Sequence, residues 1–158
     1  MSVSIYPAVF GHHAASFIHD CGKRLNVPQI TINTAIVLMH RFYMFHSFAK
    51  YDKFEIATAS LFVAGKAEES KRSIAAILAI KQELLKKPPV EPKSDDHKRK
   101  SDELIDHELV LLQTFGFDVR VVQPMRYVNR AAICRRISFE MAQMIEFLVW
   151  VGKQKICS

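Results

Sequence analysis

The stretch Phe-Glu-Ile-Ala-Thr-Ala-Ser-Leu-Phe-Val-Ala-Gly-Lys-Ala-Glu-Glu, residues 54–69, decides the fold. Its residues are apolar or small around nearly the whole circumference of a helix, which is typical of a helix buried on more than one side. Asp52 can cap this helix, and Glu55 can reach back to the cap amide as in a capping box, so we predict a start near Lys53. The stretch therefore predicts a central helix against which the other helices pack.

Two residues near the end of this stretch are unusual inside a packed helix. Gly65 costs about 1 kcal/mol of helix stability relative to alanine, which favours a close helix crossing at that point. Lys66 follows an apolar run and lies at the edge of the packed face, where an unpaired ammonium is costly to desolvate. Lys66 therefore needs either a route to water or a carboxylate partner.

The composition is typical of a folded helical protein. The chain has 158 residues, of which 49% are hydrophobic, which suits one domain, or one domain and part of another. Apolar residues recur at helical spacing without strand-type alternation, so the predicted fold is all-α. The cysteines, Cys21, Cys134 and Cys157, form no Cys-x-x-Cys pair, which indicates a reducing compartment. No signal peptide is evident, and no stretch of about 18 apolar residues could span a membrane.

Charge is unevenly distributed along the chain, which has a formal net charge of +6. Residues 81–100 hold seven basic and four acidic residues, and residues 119–158 hold seven basic and two acidic residues. Between them, residues 101–118 hold five acidic residues and no Lys or Arg. The acidic stretch is a candidate face for a basic partner, and the basic stretches could attract nucleic acid or another acidic surface. A solvated lysine-rich loop is the stronger interpretation of the basic segments, because no base-stacking aromatic pattern accompanies them.

Four further helices are predicted around the central one. Their expected bounds are residues 8–25 for the first, 29–48 for the second, 74–86 for the fourth and 101–115 for the fifth. Ser73 can cap the fourth helix, and Gly116 can end the fifth. Prolines at positions 88, 89 and 92 predict an exposed charged loop over residues 86–100. Two shorter helical pieces are predicted beyond Pro124, near residues 125–135 and 138–152.

The fifth predicted helix contains a carboxylate among apolar residues. Glu108 shares a helix face with the residues Leu104, Ile105, Leu111 and Leu112. The acidic residues near the start of this helix suit its dipole, but Glu108 lies too far along the helix for that explanation. A buried or half-buried carboxylate is therefore predicted at Glu108.

Five motifs follow one another without a break in order. They are Gly-Lys-Arg-Leu-Asn-Val (residues 22–27), Thr-Ile-Asn-Thr-Ala-Ile-Val (31–37), Met-His-Arg-Phe-Tyr-Met-Phe-His-Ser-Phe (39–48), Leu-Phe-Val-Ala-Gly-Lys-Ala-Glu-Glu (61–69) and Leu-Gln-Thr-Phe-Gly-Phe-Asp (112–118). Together they resemble the first cyclin box of the transcriptional cyclins, of the cyclin T and cyclin K type. The resemblance implies a five-helix cyclin box over residues 10–119 with the third helix at its centre, after a lead-in of residues 1–9. Residues 120–158 resemble the first helices of an incomplete second cyclin box, followed by a C-terminal tail.

The resemblance implies a regulatory subunit and not an enzyme. Such cyclins dock beside the αC helix of a cyclin-dependent kinase and push it inward, so that the kinase's own Lys–Glu ion pair and magnesium site assemble. In the family, a lysine of the third helix and a glutamate of the fifth lie together and hydrogen-bond kinase main chain. The matching residues here are Lys66 and Glu108. The apolar rest of the docking face would include Leu112, Phe117 and Val119.

Some positions depart from the family pattern. Ala67 stands where relatives carry Val or Phe, which implies a lost contact with the kinase of about 1 kcal/mol. Phe10 and Phe17 stand where cell-cycle cyclins carry the methionine and tryptophan of their substrate-docking patch, so that mode of substrate recruitment is not expected here. The turn after Glu69 lacks the proline that commonly follows the paired glutamates.

We therefore expect a nuclear cyclin that forms a heterodimer with a transcription-elongation kinase, activates it and promotes phosphorylation of the RNA polymerase II tail. Further transcription factors are expected partners, whereas a membrane or direct nucleic-acid contact is not. The segment Lys98-Arg99-Lys100 could be a nuclear localisation element or a solvated loop. No catalytic residue and no cofactor are expected. No metal site is expected either, because the candidate histidines lack a carboxylate or cysteine at ligand spacing. These histidines are His12, His13, His19, His40 and His46.

Two alternatives stay open. The chain could be a kinase-binding decoy that does not activate, an interpretation that exposed apolar surface on Phe147, Leu148 and Trp150 would favour. It could also be a helical nucleic-acid-binding module that uses its basic segments. Salt-dependent nucleic-acid affinity without kinase binding would favour the second alternative.

Overall fold

The computed structural model describes residues 6–89, 91 and 94–122, with side chains from residue 13 onward within those ranges. Five helices follow one another there: α1 (Tyr6–Arg24), α2 (Gln29–Tyr43), α3 (Lys53–Ala67), α4 (Ile74–Leu84) and α5 (Asp95–Thr114). No strand occurs within these described ranges, so the predicted all-α fold is confirmed. Helices α2 to α5, and α1 from Val9 onward, belong to one compact unit, Val9–Val121. The helical pieces predicted beyond Pro124 lie outside the described residues. None of the helices of the described part is long and apolar enough to cross a membrane.

Helix α3 lies at the centre of this unit, as predicted. Every residue from 56 to 65 is buried, so no side of the helix faces solvent over this length. The helix packs against α2, α4 and α5. Phe17 of α1 meets Phe54 of α3 edge to face, with ring centroids 5.1 Å apart. A helix buried on all sides organises the core because each neighbour covers a different part of its surface.

The N-terminus of α3 is capped by Asp52 as predicted, but the second interaction of the predicted capping box, from Glu55 back to the cap amide, is replaced by another contact. The Asp52 carboxylate accepts hydrogen bonds from the backbone N–H groups of Phe54 and Glu55, at 2.9 and 3.1 Å. The Glu55 carboxylate accepts its hydrogen bond from Lys81 Nζ of α4, at 2.5 Å. The Lys81 side chain is only 7% exposed, and a buried ammonium needs a carboxylate partner. Glu55 therefore joins α3 to α4 instead of closing its own cap.

The close helix approach occurs at Gly22 of α1 and not at Gly65 of α3. A Cβ atom at Gly22 would lie 2.5 Å from Cγ1 and 2.7 Å from Cδ1 of Ile32, which is fully buried in α2. A Cβ atom at Gly65 would meet nothing nearer than Lys71 Cα at 3.5 Å, which is an ordinary contact distance. The prediction of a helix crossing at Gly65 is therefore wrong, since the nearest neighbour is the chain's own turn after α3.

Two helix boundaries differ from the sequence prediction for identifiable reasons. Helix α2 ends at Tyr43, well before residue 48, because the aromatic residues that prolong its periodicity fold back. The ring of Phe48 stacks on Tyr43 at a centroid distance of 3.9 Å, and Tyr51 meets Phe42 edge to face at 5.2 Å. These contacts turn the chain toward α3.

Helix α5 begins at Asp95, so residues 95–100 are helical and not part of a loop as predicted. Ser94 Oγ accepts a hydrogen bond from the His97 backbone N–H at 3.1 Å, which caps the helix. Asp96 forms ion pairs with Arg99 at 2.5 Å and Lys100 at 2.8 Å, one turn further along. Pairs at this spacing stabilise a helix surface, so the mixed charges of this segment favour the helix.

Candidate functional site

The two unusual charges meet where α3 packs against α5. Lys66 Nζ donates hydrogen bonds to both carboxylate oxygens of Glu108, each at 2.8 Å. The Glu108 side chain is 11% exposed, whereas the Lys66 side chain is 48% exposed. The Lys66 ammonium therefore has the carboxylate partner that was expected, and its side chain is also half-exposed to solvent.

The exposure of this pair decides what it can do chemically. A carboxylate that is nearly buried needs a cation or several donors, and Lys66 supplies the cation. An ammonium has three N–H donors, and a carboxylate has about four lone-pair sites. The pair therefore keeps hydrogen-bonding capacity for a partner that approaches from the Lys66 side.

An aromatic ring also contacts the Lys66 ammonium. Lys66 Nζ lies 4.2 Å from the ring centroid of Phe62, one turn earlier on α3. Phe62 is 7% exposed and belongs to the hydrophobic core. Sequence analysis did not identify this contact, although Phe at i and Lys at i+4 lie on the same helix face.

The apolar residues assigned by resemblance lie along α5 and the turn after it. Leu112 follows Glu108 by one helical turn and is half-buried against the core, and Val119 is also half-buried there. Phe117 is 65% exposed. The structure therefore places a solvent-facing aromatic side chain beyond the C-terminus of the same helix that carries Glu108.

The backbone at Phe117 has an uncommon conformation. Gly116 has φ of +56° and Phe117 has φ of +63°, so two consecutive residues are left-handed. The Phe117 N–H donates to the Leu112 carbonyl at 2.8 Å, which closes the end of α5. A left-handed conformation is strained for a bulky side chain, costing about 1 kcal/mol or more. Asn26, Glu69 and Lys86 are also left-handed just after helices, so this conformation is a feature of the helix end.

Two further aliphatic residues of α5, near Leu112, are exposed. Ile105 is 46% exposed and Leu109 is 47% exposed, whereas their neighbours Leu104 and Leu111 are fully covered. Leu112, Leu109 and Ile105 follow one another at helical spacings of three and four, so they share one side of α5. The apolar content of this helix was apparent from the sequence, but which residues face solvent was not.

Asp118 is held by a residue in the same turn. Its carboxylate accepts a hydrogen bond from Arg120 Nε at 2.9 Å, and a second oxygen lies 3.2 Å from Arg120 Nη2. These hydrogen bonds lower the pKa of Asp118 below its ordinary value, and the positive charge of Arg41 acts in the same direction. The turn that presents Phe117 therefore carries an ionised carboxylate at neutral pH.

The end of α2 lies beside the end of α5. His46 Nε2 lies 2.9 Å from Thr114 Oγ1, and the Arg41 guanidinium lies 5.1 Å from the ring centroid of Phe115. In the turn after α2, Met44 is 77% exposed and Phe45 is 71% exposed. Both residues lie within the helix predicted over residues 29–48, and the structure corrects that prediction because α2 ends before them.

Other positions singled out by sequence comparison occupy different environments. Phe17 is buried against Phe54, so it is not available to a substrate, and the Phe10 side chain lies outside the described residues. Ala67 follows Lys66 and is exposed. Within the described ranges, no group of three or more His, Cys, Asp or Glu side chains could hold a metal ion.

The comparisons with known proteins agree on one family. Residues 11–120 match the family model of the cyclin N-terminal domain. The chain is 39% identical to Cyclin-T2 of Homo sapiens over 137 residues, which make up 85% of this chain and 19% of that protein. It is 40% identical to Cyclin-T of Drosophila melanogaster over 134 residues, 85% of this chain and 12% of that protein. The chain thus spans about a fifth or less of the length of these relatives.

A solved structure confirms the fold. A chain of the yeast RNA Pol II CTD kinase CTDK-1 complex superimposes with a TM-score of 0.76 at 22% sequence identity, covering 88% of this chain and 46% of that chain. At this identity the similarity concerns architecture, and it agrees with the five helices and the central α3 described above. Because the cyclin family model covers most of the chain and the T-type cyclins match it at 39% and 40% identity, this chain belongs to the cyclin family and is cyclin T-like.

Proposed function

We propose that this cyclin is the regulatory subunit of a cyclin-dependent kinase of the transcription-elongation type. In this proposal it binds the kinase as a heterodimer in the nucleus and activates it toward the RNA polymerase II tail. The similarity to T-type cyclins supports the class of kinase. The structural neighbour, named as part of an RNA polymerase II CTD kinase complex, supports the same class.

The Lys66–Glu108 pair is the observation that carries the proposal. Both residues were assigned to kinase docking by resemblance alone. They lie 2.8 Å apart at the α3–α5 contact, and the Lys66 side chain is half-exposed. In the proposed complex, Lys66 donates to a kinase main-chain carbonyl and Glu108 accepts from a kinase main-chain N–H. Main-chain contacts of this kind fix the register of the partner backbone.

The apolar contacts of the proposed interface come from Leu112, Phe117 and Val119. Phe117 contributes most new burial because 65% of its surface is free to be covered. Full burial of a Phe side chain is worth about 1.5–3 kcal/mol, so this one residue could supply a substantial part of the affinity. Leu112 and Val119 are already half-buried, so they would mainly shape the surface on which the kinase packs.

Activation follows if the cyclin binds the active arrangement of the kinase more tightly than the inactive one. A kinase is active when the Lys–Glu ion pair that involves its αC helix is formed and its magnesium site is complete. A subunit that contacts the inward position of αC stabilises that arrangement by the difference between its two affinities. No residue of the cyclin needs to take part in the chemistry, so the proposed role is regulatory and not catalytic.

The domain assignment is part of the proposal. We propose that residues 10–119 form the first cyclin box after a lead-in of residues 1–9. Residues 120–158 would then contribute the first helices of a second box and the tail. The family match over residues 11–120 supports the first of these assignments. Limited proteolysis that leaves a protected fragment ending near residue 120 is the expected result, and cleavage within α3 or α5 would overturn the first boundary.

The function is tested with purified transcription-type cyclin-dependent kinases and a polymerase-tail peptide. We expect the chain to bind at least one such kinase and to raise its phosphorylation rate. Lys66→Met and Glu108→Gln should each weaken binding by about tenfold or more, because each leaves a charge without its partner. Lys23→Met and Glu103→Gln, which alter exposed charges outside the Lys66–Glu108 pair, serve as matched controls and should bind as the unaltered chain does.

The same experiment separates the competing functions. Binding without any gain in phosphorylation would identify a decoy and overturn the activating role. Absence of binding to every kinase, together with nucleic-acid affinity that falls steeply with salt, would identify a nucleic-acid-binding module. Thermal unfolding of each variant shows whether the variant is still folded, so that a loss of kinase binding can be distinguished from unfolding of the cyclin.

A further inference from the structure

We propose that Phe62 is a positioning residue that holds the Lys66 ammonium in the orientation needed to meet the kinase. This inference rests on the proposed docking role of Lys66. Phe62 does not itself reach a partner, because it is 7% exposed and lies in the core of the cyclin box. Its effect on binding would therefore pass through Lys66.

The geometry places Lys66 between two fixed groups. The Glu108 carboxylate approaches the ammonium from α5 at 2.8 Å, and the Phe62 ring faces it from α3 at 4.2 Å from the centroid. Each of these groups is largely buried, so each is held by the packing around it. The ammonium is the mobile member of the group, since lysine is among the residues with the largest rotamer freedom.

An aromatic ring at position 62 attracts the Lys66 ammonium electrostatically, which an aliphatic side chain cannot do. The face of a phenyl ring carries negative electrostatic potential and attracts a cation within about 6 Å of its centroid. An aliphatic residue of similar size would remove water from the ammonium without attracting its charge, so the desolvation of Lys66 would not be compensated. The ring therefore lets Lys66 stay close to the apolar surface of α3 while its charge is retained.

The contact is shorter than similar contacts elsewhere in the described part of the chain. Three other cations lie between 5.0 and 5.3 Å from a ring centroid. The structure gives Lys66 a hydrogen bond to a nearly buried carboxylate in addition to its ring contact. A lysine held from two helices has less freedom to lose when a kinase binds, so the arrangement favours tighter docking.

Fluorinated phenylalanines at position 62 test the inference while keeping the shape of the side chain. Stepwise fluorination weakens and then reverses the negative potential of the ring face. We expect the kinase affinity to fall progressively, by about 2- to 10-fold for Phe62→pentafluorophenylalanine, because the Lys66 side chain must then be ordered when the kinase binds. Phe17 is equally buried but is paired with another aromatic ring, so the same series at Phe17 is the matched control and should leave the affinity unchanged.

A second background separates positioning from a general packing effect. In a Lys66→Met chain, fluorination at position 62 should no longer change the kinase affinity, because no cation remains over the ring. An equal loss in both backgrounds would overturn the inference. If Lys66→Met itself leaves the affinity unchanged, the docking role of Lys66 is wrong and the inference fails with it.

A measurement without kinase checks the contact itself. In the free chain, the methylene protons next to the Lys66 ammonium should resonate upfield of other lysines because they lie over the Phe62 ring. Phe62→Leu should abolish that displacement, while Phe17→Leu should not. A Lys66 signal at the ordinary lysine position in the unaltered chain would overturn the contact, whatever the kinase experiment shows.

Discussion

At the scale of single residues, Gly22 and Gly65 lie in two helices of the same core but have different surroundings. Gly22→Ala should lower the free energy of unfolding by about 1–3 kcal/mol, because its Cβ would overlap the buried side chain of Ile32. Gly65→Ala should leave it unchanged or raise it by up to about 1 kcal/mol, because the new methyl group meets ordinary contacts and alanine favours the helix. Urea unfolding of both variants measures the difference, and equal effects would contradict the assignment of the close crossing to α1 and α2.

A second residue-scale prediction concerns pH. Burial lowers the pKa of His40 below its ordinary value of 6.5. Between the two pKa values the unfolded chain binds a proton that the native chain does not, so the free energy of unfolding decreases as pH falls below about 6.5. His40→Gln should flatten this dependence between pH 5 and pH 7 by removing the group, as measured by urea unfolding. A slope that is the same in the variant and the unaltered chain would contradict the prediction.

At the scale of helices, α5 shows how local signals can be overlooked. Residues 86–100, in which α5 begins, contain prolines and a run of mixed charges, which predict a loop. The cap at Ser94 and the ion pairs of Asp96 stabilise a helix there instead. Ser94→Ala should therefore cost about 1 kcal/mol and expose the backbone amides of the first turns of α5 to faster hydrogen exchange. Unchanged exchange in residues 95–100 would show that the cap does not hold this turn.

The end of α5 supports a prediction with two readouts of opposite sign. Phe117→Gly removes a left-handed phenylalanine, which relieves strain, but it also removes the most exposed side chain of the proposed interface. The free energy of unfolding should stay the same or rise by up to about 1 kcal/mol, whereas kinase affinity should fall by about tenfold or more. Calorimetry of the variant and a binding titration measure the two quantities. If the free energy of unfolding and the kinase affinity both fell, the claim that Phe117 is strained in the free chain and serves mainly in binding would be contradicted.

Helix periodicity predicted which elements form, because buried faces repeat at fixed spacing. The central position of α3 followed from its apolar and small residues alone. Periodicity could not give the end of α2, since Phe45 and Phe48 continue the apolar pattern although the chain has already turned. Nor could it give the Glu55–Lys81 pair, because the burial of a lysine depends on what the next helix places beside it.

The candidate site was predictable only in part for a related reason. Lys66 and Glu108 each stood out as a charge on an apolar face, but residues that far apart along the chain are brought together only by helix packing. The resemblance to cyclins supplied the pairing before the structure did. The ring of Phe62 under Lys66 and the left-handed backbone of Phe117 are features of three-dimensional geometry that no spacing in the sequence specifies.

At the scale of the whole compact unit, polar contacts fasten the helix ends around the apolar core. Arg72 donates to the backbone carbonyls of Leu25 and Asn26 at 2.9 and 2.6 Å, which ties the turn before α4 to the end of α1. Thr34 of α2 donates to Glu68 at the end of α3, at 2.8 Å. These contacts hold the end of α3 against α2 and the turn after α3 against the end of α1, so Lys66 lies close to a helix end that is fixed by its neighbours. A preorganised surface loses little freedom on binding, which favours a stable heterodimer.

The account as a whole depends on the Lys66–Glu108 pair acting as a unit toward the kinase. A double-mutant cycle on kinase affinity tests this most directly, using Lys66→Met, Glu108→Gln and both together. Each single substitution should weaken binding by about tenfold or more, and the double variant should bind no more weakly than the weaker single one, because residues in direct contact are not additive. If both single variants bind the kinase as tightly as the unaltered chain, the proposed docking site is wrong.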